Sequence, residues 1–193
     1  MVPGGRDVRA TLDSPDHDVC VVACPPHPQY GGKRTDPRLR AVSDALADEC
    51  ATLRFDYGPW DTGYGELADA RNALAWARGR YDSVSVFGYS FGGCIALLAA
   101  ARESVDGTPP AAVAALAPAS RLAADLDAAA ELGEVACPGY VLYGERDTTA
   151  EWEPVVERAR ELDWRVEGMS ADHHFVGQAA KVGESIAAFL RDA

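Results

Sequence analysis

Short strand-forming runs alternate with longer amphipathic segments along the chain. Apolar, β-branched and aromatic runs predict strands at Val19–Ala23, Ala51–Tyr57, Ser83–Phe87, Ala112–Leu116 and Gly139–Tyr143. Nearly continuous apolar runs of this kind are typical of parallel strands covered on both faces. A last short strand is predicted at Trp164–Val166, and Val8–Leu12 is expected to form at most one edge strand.

The segments between these runs carry apolar residues at helical spacing. Helices are predicted from Thr35–Pro37 onward, from about Gly65 to Gly79, at Cys94–Ala101, at Trp152–Leu162 and at Val182–Leu190. The Ala-rich stretch Ser120–Leu132 is expected to form a short helical insertion. Because strands and helices alternate, the sequence predicts an α/β fold: a three-layer α/β/α sandwich with a doubly wound, mostly parallel sheet and a minimal lid.

The length of 193 residues predicts a single domain spanning 1–193, in which residues 1–18 form a short edge strand or a loose N-terminal segment. No apolar run reaches the length that spans a membrane, and the first residues carry no hydrophobic targeting core. We therefore expect a soluble, cytoplasmic protein that acts as a monomer or homodimer.

The formal net charge of −12 argues against nucleic acid or an anionic membrane as a partner, because like charges repel. Lysine occurs only at Lys33 and Lys181, whereas aspartate is abundant. This composition, rich in aspartate and poor in lysine, indicates adaptation to a salt-rich cytoplasm, or alternatively a high-GC genome in which arginine replaces lysine. Neither interpretation bears on the reaction, and a small molecule remains the expected partner.

The five cysteines are odd in number and lie within predicted elements or at their edges. Without a secretory signal they are most simply small buried hydrophobic residues. Cys20 and Cys24 lack the spacing of a zinc site, so no metal is predicted, and no organic cofactor is needed for the chemistry below.

The most informative motif is Gly88-Tyr89-Ser90-Phe91-Gly92, which stands between a predicted strand and a predicted helix. Strand, G-x-S-x-G and helix together form the nucleophile elbow of the α/β-hydrolases. The turn holds Ser90 on a strained backbone, so that its hydroxyl is exposed at the carboxyl end of the strand. A glycine-rich turn without chemistry is the alternative, but the residues that follow favour catalysis.

An acid and a histidine follow Ser90 in the chain order of these hydrolases. Asp147 comes after the strand that ends at Tyr143, with Glu145 as a rival acid, and His173 and His174 come after the last strand. A serine hydroxyl needs an imidazole to accept its proton, and the imidazole needs a carboxylate to orient it. Asp147 is favoured by its position, although it could also cap the next helix. Asp172 is expected to be a turn residue.

An oxyanion hole requires two backbone N–H donors. The first should be Phe91, and the second should come from the loop Cys24–Gly32, where the prolines have no N–H. We choose His27, with Gln29 second. Gln29, Tyr30 and Tyr89 are the predicted substrate-binding side chains.

The chain resembles the compact, dienelactone-hydrolase-like branch of the α/β-hydrolase superfamily over roughly Val19–Leu190. Many small members carry His-Pro-His-Pro-x-x-Gly-Gly, Arg-Phe-Asn-aromatic-Arg-Gly, a G-x-S-x-G elbow and a late Ala-Asp-His. The matching segments here are 25–32, 54–58, 88–92 and 171–173. The resemblance favours His173 as the base. It also has departures: Pro25 replaces the first histidine, the arginine before Gly58 is absent, and the nucleophile is Ser90 rather than the cysteine of dienelactone hydrolases proper.

The predicted function is therefore a serine hydrolase that cleaves a carboxylic ester-like bond of a small soluble substrate through an acyl-enzyme. The same residues would also serve a thioesterase or a peptidase. A non-catalytic binding protein that retains the fold is the alternative from another class, and the altered loop at Pro25 favours it.

Overall fold

A computed structural model describes residues 6–193, so the predicted loose N-terminal segment lies partly outside the described residues. The strands are β1 (Arg9–Asp13), β2 (Val19–Cys24), β3 (Ala51–Asp56), β4 (Ser83–Tyr89), β5 (Val113–Leu116), β6 (Arg121–Ala123), β7 (Leu126–Asp127), β8 (Gly139–Gly144) and β9 (Arg165–Met169). Seven of them form one sheet in the order β1-β3-β2-β4-β5-β8-β9. All neighbours in this sheet pair in parallel except β1, which runs antiparallel to β3 at the edge.

The helices are α1 (Pro37–Leu46), α2 (Tyr64–Arg78), α3 (Phe91–Val105), α4 (Ala128–Glu131), α5 (Glu153–Glu161) and α6 (Ala179–Asp192). Local chemistry explains where they begin: the Asp36 carboxylate accepts the Arg38 N–H at 2.8 Å, and Pro37 occupies the first turn of α1. None of the helices within residues 6–193 combines the length and the apolar character that crossing a membrane requires.

The core consists of two apolar layers, one on each face of the sheet. Helices α2, α3 and α5 pack on one face, and α1 and α6 pack on the other. Side chains along β4 alternate between the layers, since Val84 and Val86 face the first and Phe87 and Tyr89 face the second. The predicted α/β/α sandwich with a doubly wound, mostly parallel sheet is confirmed.

The parallel strands end at a common edge. Cys24 of β2 pairs with Gly88 of β4, and Tyr89 of β4 pairs with Leu116 of β5. The loops that leave these strands therefore meet above β4. In open α/β sheets this carboxyl edge is where ligands bind.

The predicted helical insertion at Ser120–Leu132 is wrong. The segment forms a hairpin of β6 and β7 followed by the single turn α4. The Arg121 side chain donates to the Asp127 carboxylate across the hairpin at 2.7 Å, and the Tyr64 hydroxyl donates to Asp125 at 2.6 Å. The first contact lies within the hairpin and the second ties it to α2, and such contacts can outweigh the helix propensity of the alanines. The hairpin is short, and the prediction of a minimal lid holds.

Candidate active site

Ser90 lies in the tight turn between β4 and α3. Its backbone has φ 58° and ψ −119°, a strained conformation for a residue with a side chain. The flanking glycines permit this turn, because a Cβ on Gly88 would lie 1.9 Å from the Gly92 carbonyl oxygen. A Cβ on Gly92 would lie 2.3 Å from the carbonyl oxygens of Cys24 and Pro25. The elbow therefore brings three backbone segments close together around Ser90.

A continuous hydrogen-bonded chain runs from Ser90 to Asp147. His173 Nε2 lies 2.9 Å from Ser90 Oγ, and His173 Nδ1 lies 2.6 Å from Asp147 Oδ2. A carboxylate only accepts hydrogen bonds, so Nδ1 carries the imidazole proton and Nε2 is the acceptor for the Ser90 hydroxyl. The imidazole is thus held in the tautomer that can accept a proton from serine.

The two oxygens of the Asp147 carboxylate serve different partners. Oδ2 faces His173, whereas Oδ1 accepts the backbone N–H groups of Thr149 at 2.8 Å and Ala150 at 3.1 Å. The Asp147 carbonyl also accepts the indole N–H of Trp152 at 3.1 Å. Asp147 therefore stabilises the turn that follows it and also contacts the imidazole. It does not cap the next helix, because α5 begins after Trp152 without a side-chain cap. The rival Glu145 is exposed.

The loop after β9 separates the two adjacent histidines. His173 is 6% exposed and points into the site, while His174 lies on the surface. Asp172 is a turn residue, as expected: its carboxylate accepts the N–H groups of His174 at 3.0 Å and Phe175 at 3.1 Å. The structure thus brings His173, and not His174, to Ser90.

The two predicted oxyanion donors belong to residues that line the same pocket as Ser90. Phe91 is the first residue of α3, and His27 follows the end of β2, the strand next to β4. Within residues 6–193 neither amide has a hydrogen-bond acceptor. The second choice of donor, Gln29, is excluded because its N–H is bonded to His27 Nδ1 at 3.3 Å.

A pocket of about 720 Å³ opens above Ser90. Of the predicted substrate-binding side chains, Tyr30 lines the pocket and is 87% exposed. Gln29 belongs to the short 3₁₀ helix Pro28–Tyr30 and is not among the residues that line the pocket. Tyr89 touches the pocket, but it is 2% exposed and its hydroxyl donates to the His173 carbonyl at 3.0 Å. Tyr89 therefore supports the histidine loop rather than offering a binding surface.

Sequence reasoning missed several side chains in the pocket wall, among them Trp60 and Arg38. Trp60 follows β3 after the Gly58-Pro59 turn, and its position beyond a strand end was the signal that could have identified it. Arg38 lies on α1, with its guanidinium 4.5 Å from the centre of the Tyr89 ring and 2.6 Å from the Asp36 carboxylate. No local pattern singles out Arg38, because only tertiary packing brings α1 to the site.

The loop that carries Trp60 is held by a buried carboxylate, Glu66 of α2. The Glu66 side chain is fully buried and accepts the backbone N–H of Asp61 at 2.9 Å and that of Gly63 at 2.8 Å. A buried carboxylate without hydrogen-bond partners would cost free energy, so the loop is stabilised in the conformation that supplies these two N–H groups.

A second buried carboxylate, Asp69, holds the beginning of the same loop. It accepts the Gly58 N–H at 2.9 Å and the Arg6 side chain at 2.9 Å. Arg6 also donates to the Pro59 carbonyl. Burial raises the pKa of Asp69, against the opposing influence of the Gly58 N–H and Arg6. The loop between β3 and α2 is therefore a rigid wall of the pocket.

Solved structures share this arrangement of elements. An α/β serine hydrolase homologue from Coxiella burnetii matches 95% of this chain and 91% of its own, with 24% identity and a TM-score of 0.78. A serine hydrolase without lid from Xanthomonas campestris matches 96% and 88%, with 22% identity and a TM-score of 0.77. Dienelactone hydrolase from Anabaena variabilis matches 99% and 93%, with 22% identity and a TM-score of 0.73. No protein-family model matches the chain, and the curated proteins give no match.

Proposed function

Because the chain has the α/β-hydrolase fold, we propose that it is a serine hydrolase that cleaves a carboxylic ester-like bond of a small soluble substrate. The observation that carries the proposal is the unbroken hydrogen-bonded chain from Ser90 through His173 to Asp147. The similar solved structures named serine hydrolases and dienelactone hydrolase support the same class of chemistry.

In the first half of the reaction, Ser90 Oγ attacks the carbonyl carbon of the ester while its proton passes to His173 Nε2. The Asp147 carboxylate stabilises the imidazolium that forms. The carbonyl oxygen becomes an oxyanion, which accepts hydrogen bonds from the Phe91 and His27 N–H groups. The carbon–oxygen bond to the alcohol then breaks, and His173 gives its proton to the departing oxygen.

In the second half, water replaces the alcohol. His173 Nε2 takes a proton from the water, whose oxygen attacks the acyl carbon, and the same two amides stabilise the second oxyanion. Collapse of this intermediate returns the proton to Ser90 Oγ and releases the carboxylic acid. No group outside the named residues is required for proton balance.

The pocket supports small soluble substrates. Its volume of about 720 Å³ is that of a site for a small molecule, and the short hairpin of β6 and β7 adds only Arg121 and Leu122 to its wall.

The proposal also includes the organisation and location of the protein: one domain that acts in the cytoplasm as a monomer or homodimer. The net charge of −12 supports a salt-adapted protein without nucleic acid as a partner.

A fluorophosphonate probe tests the proposal, because it reacts covalently with an activated serine. The wild-type protein should be labelled and Ser90→Ala should not. Ser83→Ala, at the opposite end of β4, is the matched control and should be labelled like wild type. Absence of labelling of folded wild-type protein at every salt concentration would favour the non-catalytic binding protein. Comparing the hydrolysis rates of an oxygen ester, a thioester and a peptide that share one acyl group would then identify the kind of bond that the protein cleaves.

A further inference from the structure

Aromatic rings line the pocket on the side of Ser90 where β2 and β3 lie. The His27 ring centre is 4.9 Å from that of Phe91, 4.6 Å from that of Trp60 and 4.7 Å from that of Tyr30. All four rings border the pocket, and together they form what we call the aromatic cleft. The cleft runs from Phe91, 3% exposed, to Tyr30, 87% exposed, so its outer end offers a ring surface that a ligand can cover.

Hydrogen bonds within the protein hold the rings of the aromatic cleft in place. Trp60 belongs to the loop held by the buried carboxylates of Glu66 and Asp69. The His27 ring is fixed because its Nδ1 accepts the Gln29 N–H, which leaves the imidazole proton on Nε2. Burial lowers the pKa of His27, against the opposing charge of Glu66, so the ring is neutral at pH 7. A preorganised, uncharged set of rings favours stacking over ion pairing.

Outside the aromatic cleft the lining of the pocket is largely polar. It includes Asp36, Arg38, Arg121, Glu151, His173 and His174. Charges of both signs occur there, whereas the aromatic cleft holds none at neutral pH. The pocket therefore combines an uncharged aromatic cleft with a charged remainder of its lining.

The order of the strands separates the aromatic cleft from Asp147 and His173. The cleft follows β2 and β3, which lie on one side of β4, whereas Asp147 and His173 follow β8 and β9 on the other side. His173 must protonate the departing alcohol oxygen, so the alcohol arm points toward the β8–β9 side. The acyl arm leaves the tetrahedral carbon in another direction, so it can reach the cleft while the alcohol oxygen stays near His173.

We infer that the aromatic cleft binds a flat, unsaturated ring on the acyl arm, so that the preferred substrates are esters of aryl-substituted carboxylic acids. This inference rests on the proposed hydrolase function and adds the substrate class. Trp60 and Tyr30 are its specificity-determining residues, because they supply ring faces beside the buried Phe91.

The test compares two matched pairs of esters by kcat/KM, measured as acid release. The acyl pair is methyl phenylpropanoate and methyl cyclohexylpropanoate, which differ in the flatness of the ring but not in the reactivity of the carbonyl. The alcohol pair is phenylethyl acetate and cyclohexylethyl acetate. Wild type should prefer the phenyl member of the acyl pair by roughly three- to tenfold, the range expected for aromatic stacking. The alcohol pair should show no such preference.

Variants locate the preference. Trp60→Leu and the exposed Tyr30→Leu should each reduce the phenyl preference in the acyl pair, and Trp60→Phe should retain part of it. Trp76→Leu removes a tryptophan of α2 that stacks on Arg80 outside the pocket, and it should leave the preference unchanged.

Three outcomes overturn the inference while the proposed function stands: esters are cleaved without phenyl preference, the preference appears only in the alcohol pair, or Trp60→Leu and Tyr30→Leu both retain it. If folded wild type cleaves none of the four esters and takes no fluorophosphonate label, the proposed function fails and the inference fails with it. Serine labelling therefore distinguishes the two failures.

Discussion

The Tyr89 hydroxyl donates a hydrogen bond of 3.0 Å to the carbonyl of His173. Tyr89 precedes Ser90 directly, so this bond ties the Ser90 turn to the loop that carries the His173 imidazole, across 84 positions of the chain. Burial raises the pKa of Tyr89 to about 12, against the opposing charge of Arg38. The raised pKa keeps the Tyr89 hydroxyl protonated and able to donate.

Tyr89→Phe removes only that hydroxyl and leaves the His173 carbonyl without its donor. We expect kcat to fall about five- to tenfold with little change in KM, because one neutral hydrogen bond is worth about 1 kcal/mol. Steady-state kinetics on a small ester measure this. Fluorophosphonate labelling should slow in parallel, and an unchanged labelling rate would contradict a positioning role.

The adjacent histidines should differ sharply when replaced. His173→Ala removes the group that bonds Ser90 Oγ and should lower kcat by about a thousandfold or more. His174→Ala changes an exposed ring and should keep most of the activity. The same ester assay on both variants shows which histidine is the base. A larger loss of kcat in His174→Ala than in His173→Ala would reverse the assignment.

Asp147→Asn should lower kcat by about a thousandfold or more, because the amide cannot hold the imidazole tautomer that accepts the serine proton. The Asn oxygen can still accept the Thr149 and Ala150 N–H groups, so the fold should survive, as circular dichroism can verify. Glu145→Gln alters the exposed rival acid and is the matched control. Comparable losses in the two variants would refute the distinction between these acids.

Gly92→Ala tests the close approach at the elbow. The new Cβ would lie 2.3 Å from two backbone oxygens, so the turn must shift, and stability should fall by about 1–3 kcal/mol or more together with activity. Gly79→Ala is the matched control, because the nearest atom to its Cβ is 3.5 Å away. Denaturant unfolding of the two variants gives the comparison, and equal stabilities would mean that the elbow has room for a side chain.

Glu103 of α3 makes part of the stability dependent on pH. Its carboxylate accepts hydrogen bonds from Arg71 at 2.6 Å and from Arg78. Burial is the largest single influence on the pKa of Glu103 and raises it, but the bonds and charges of the two arginines together lower the pKa below its ordinary value near 4.5. The folded state therefore favours the charged form.

A lowered folded-state pKa means that this stabilisation is present above pH 4.5 and is lost as the pH falls through the folded pKa. Glu103→Gln should cost about 1–2 kcal/mol at neutral pH, a value reduced because the arginines are partly exposed. The difference from wild type should shrink as the pH falls below 4.5. Chemical unfolding across pH measures it, with the exposed Glu157→Gln as the control that should show no such trend.

Local patterns in the sequence sufficed for most of the fold. The alternation of strand and helix determined the doubly wound sheet, since each apolar run must be covered on both faces and each helix must bury one stripe. The local patterns failed at Ser120–Leu132, where the alanine content predicted a helix. Strands form there instead, with hydrogen bonds from Tyr64 and across the hairpin. A propensity of a fraction of a kcal/mol per residue is easily overridden by tertiary contacts.

The candidate site divides in the same way. Glycine spacing marks Ser90, because a sharp turn of that composition presents a serine above a strand, and the chain order calls for a later acid and then a histidine. That order leaves open a choice between neighbours, His173 against His174 and Asp147 against Glu145, in which motif position favours Asp147 and the resemblance favours His173. Adjacent residues have almost the same local chemistry, so only the direction in which the tertiary structure points each side chain separates them. The tertiary structure also determines the walls of the pocket. The position of Trp60 depends on Glu66 of α2, and Arg38 reaches the pocket from α1, so each wall depends on elements that meet only in the folded chain.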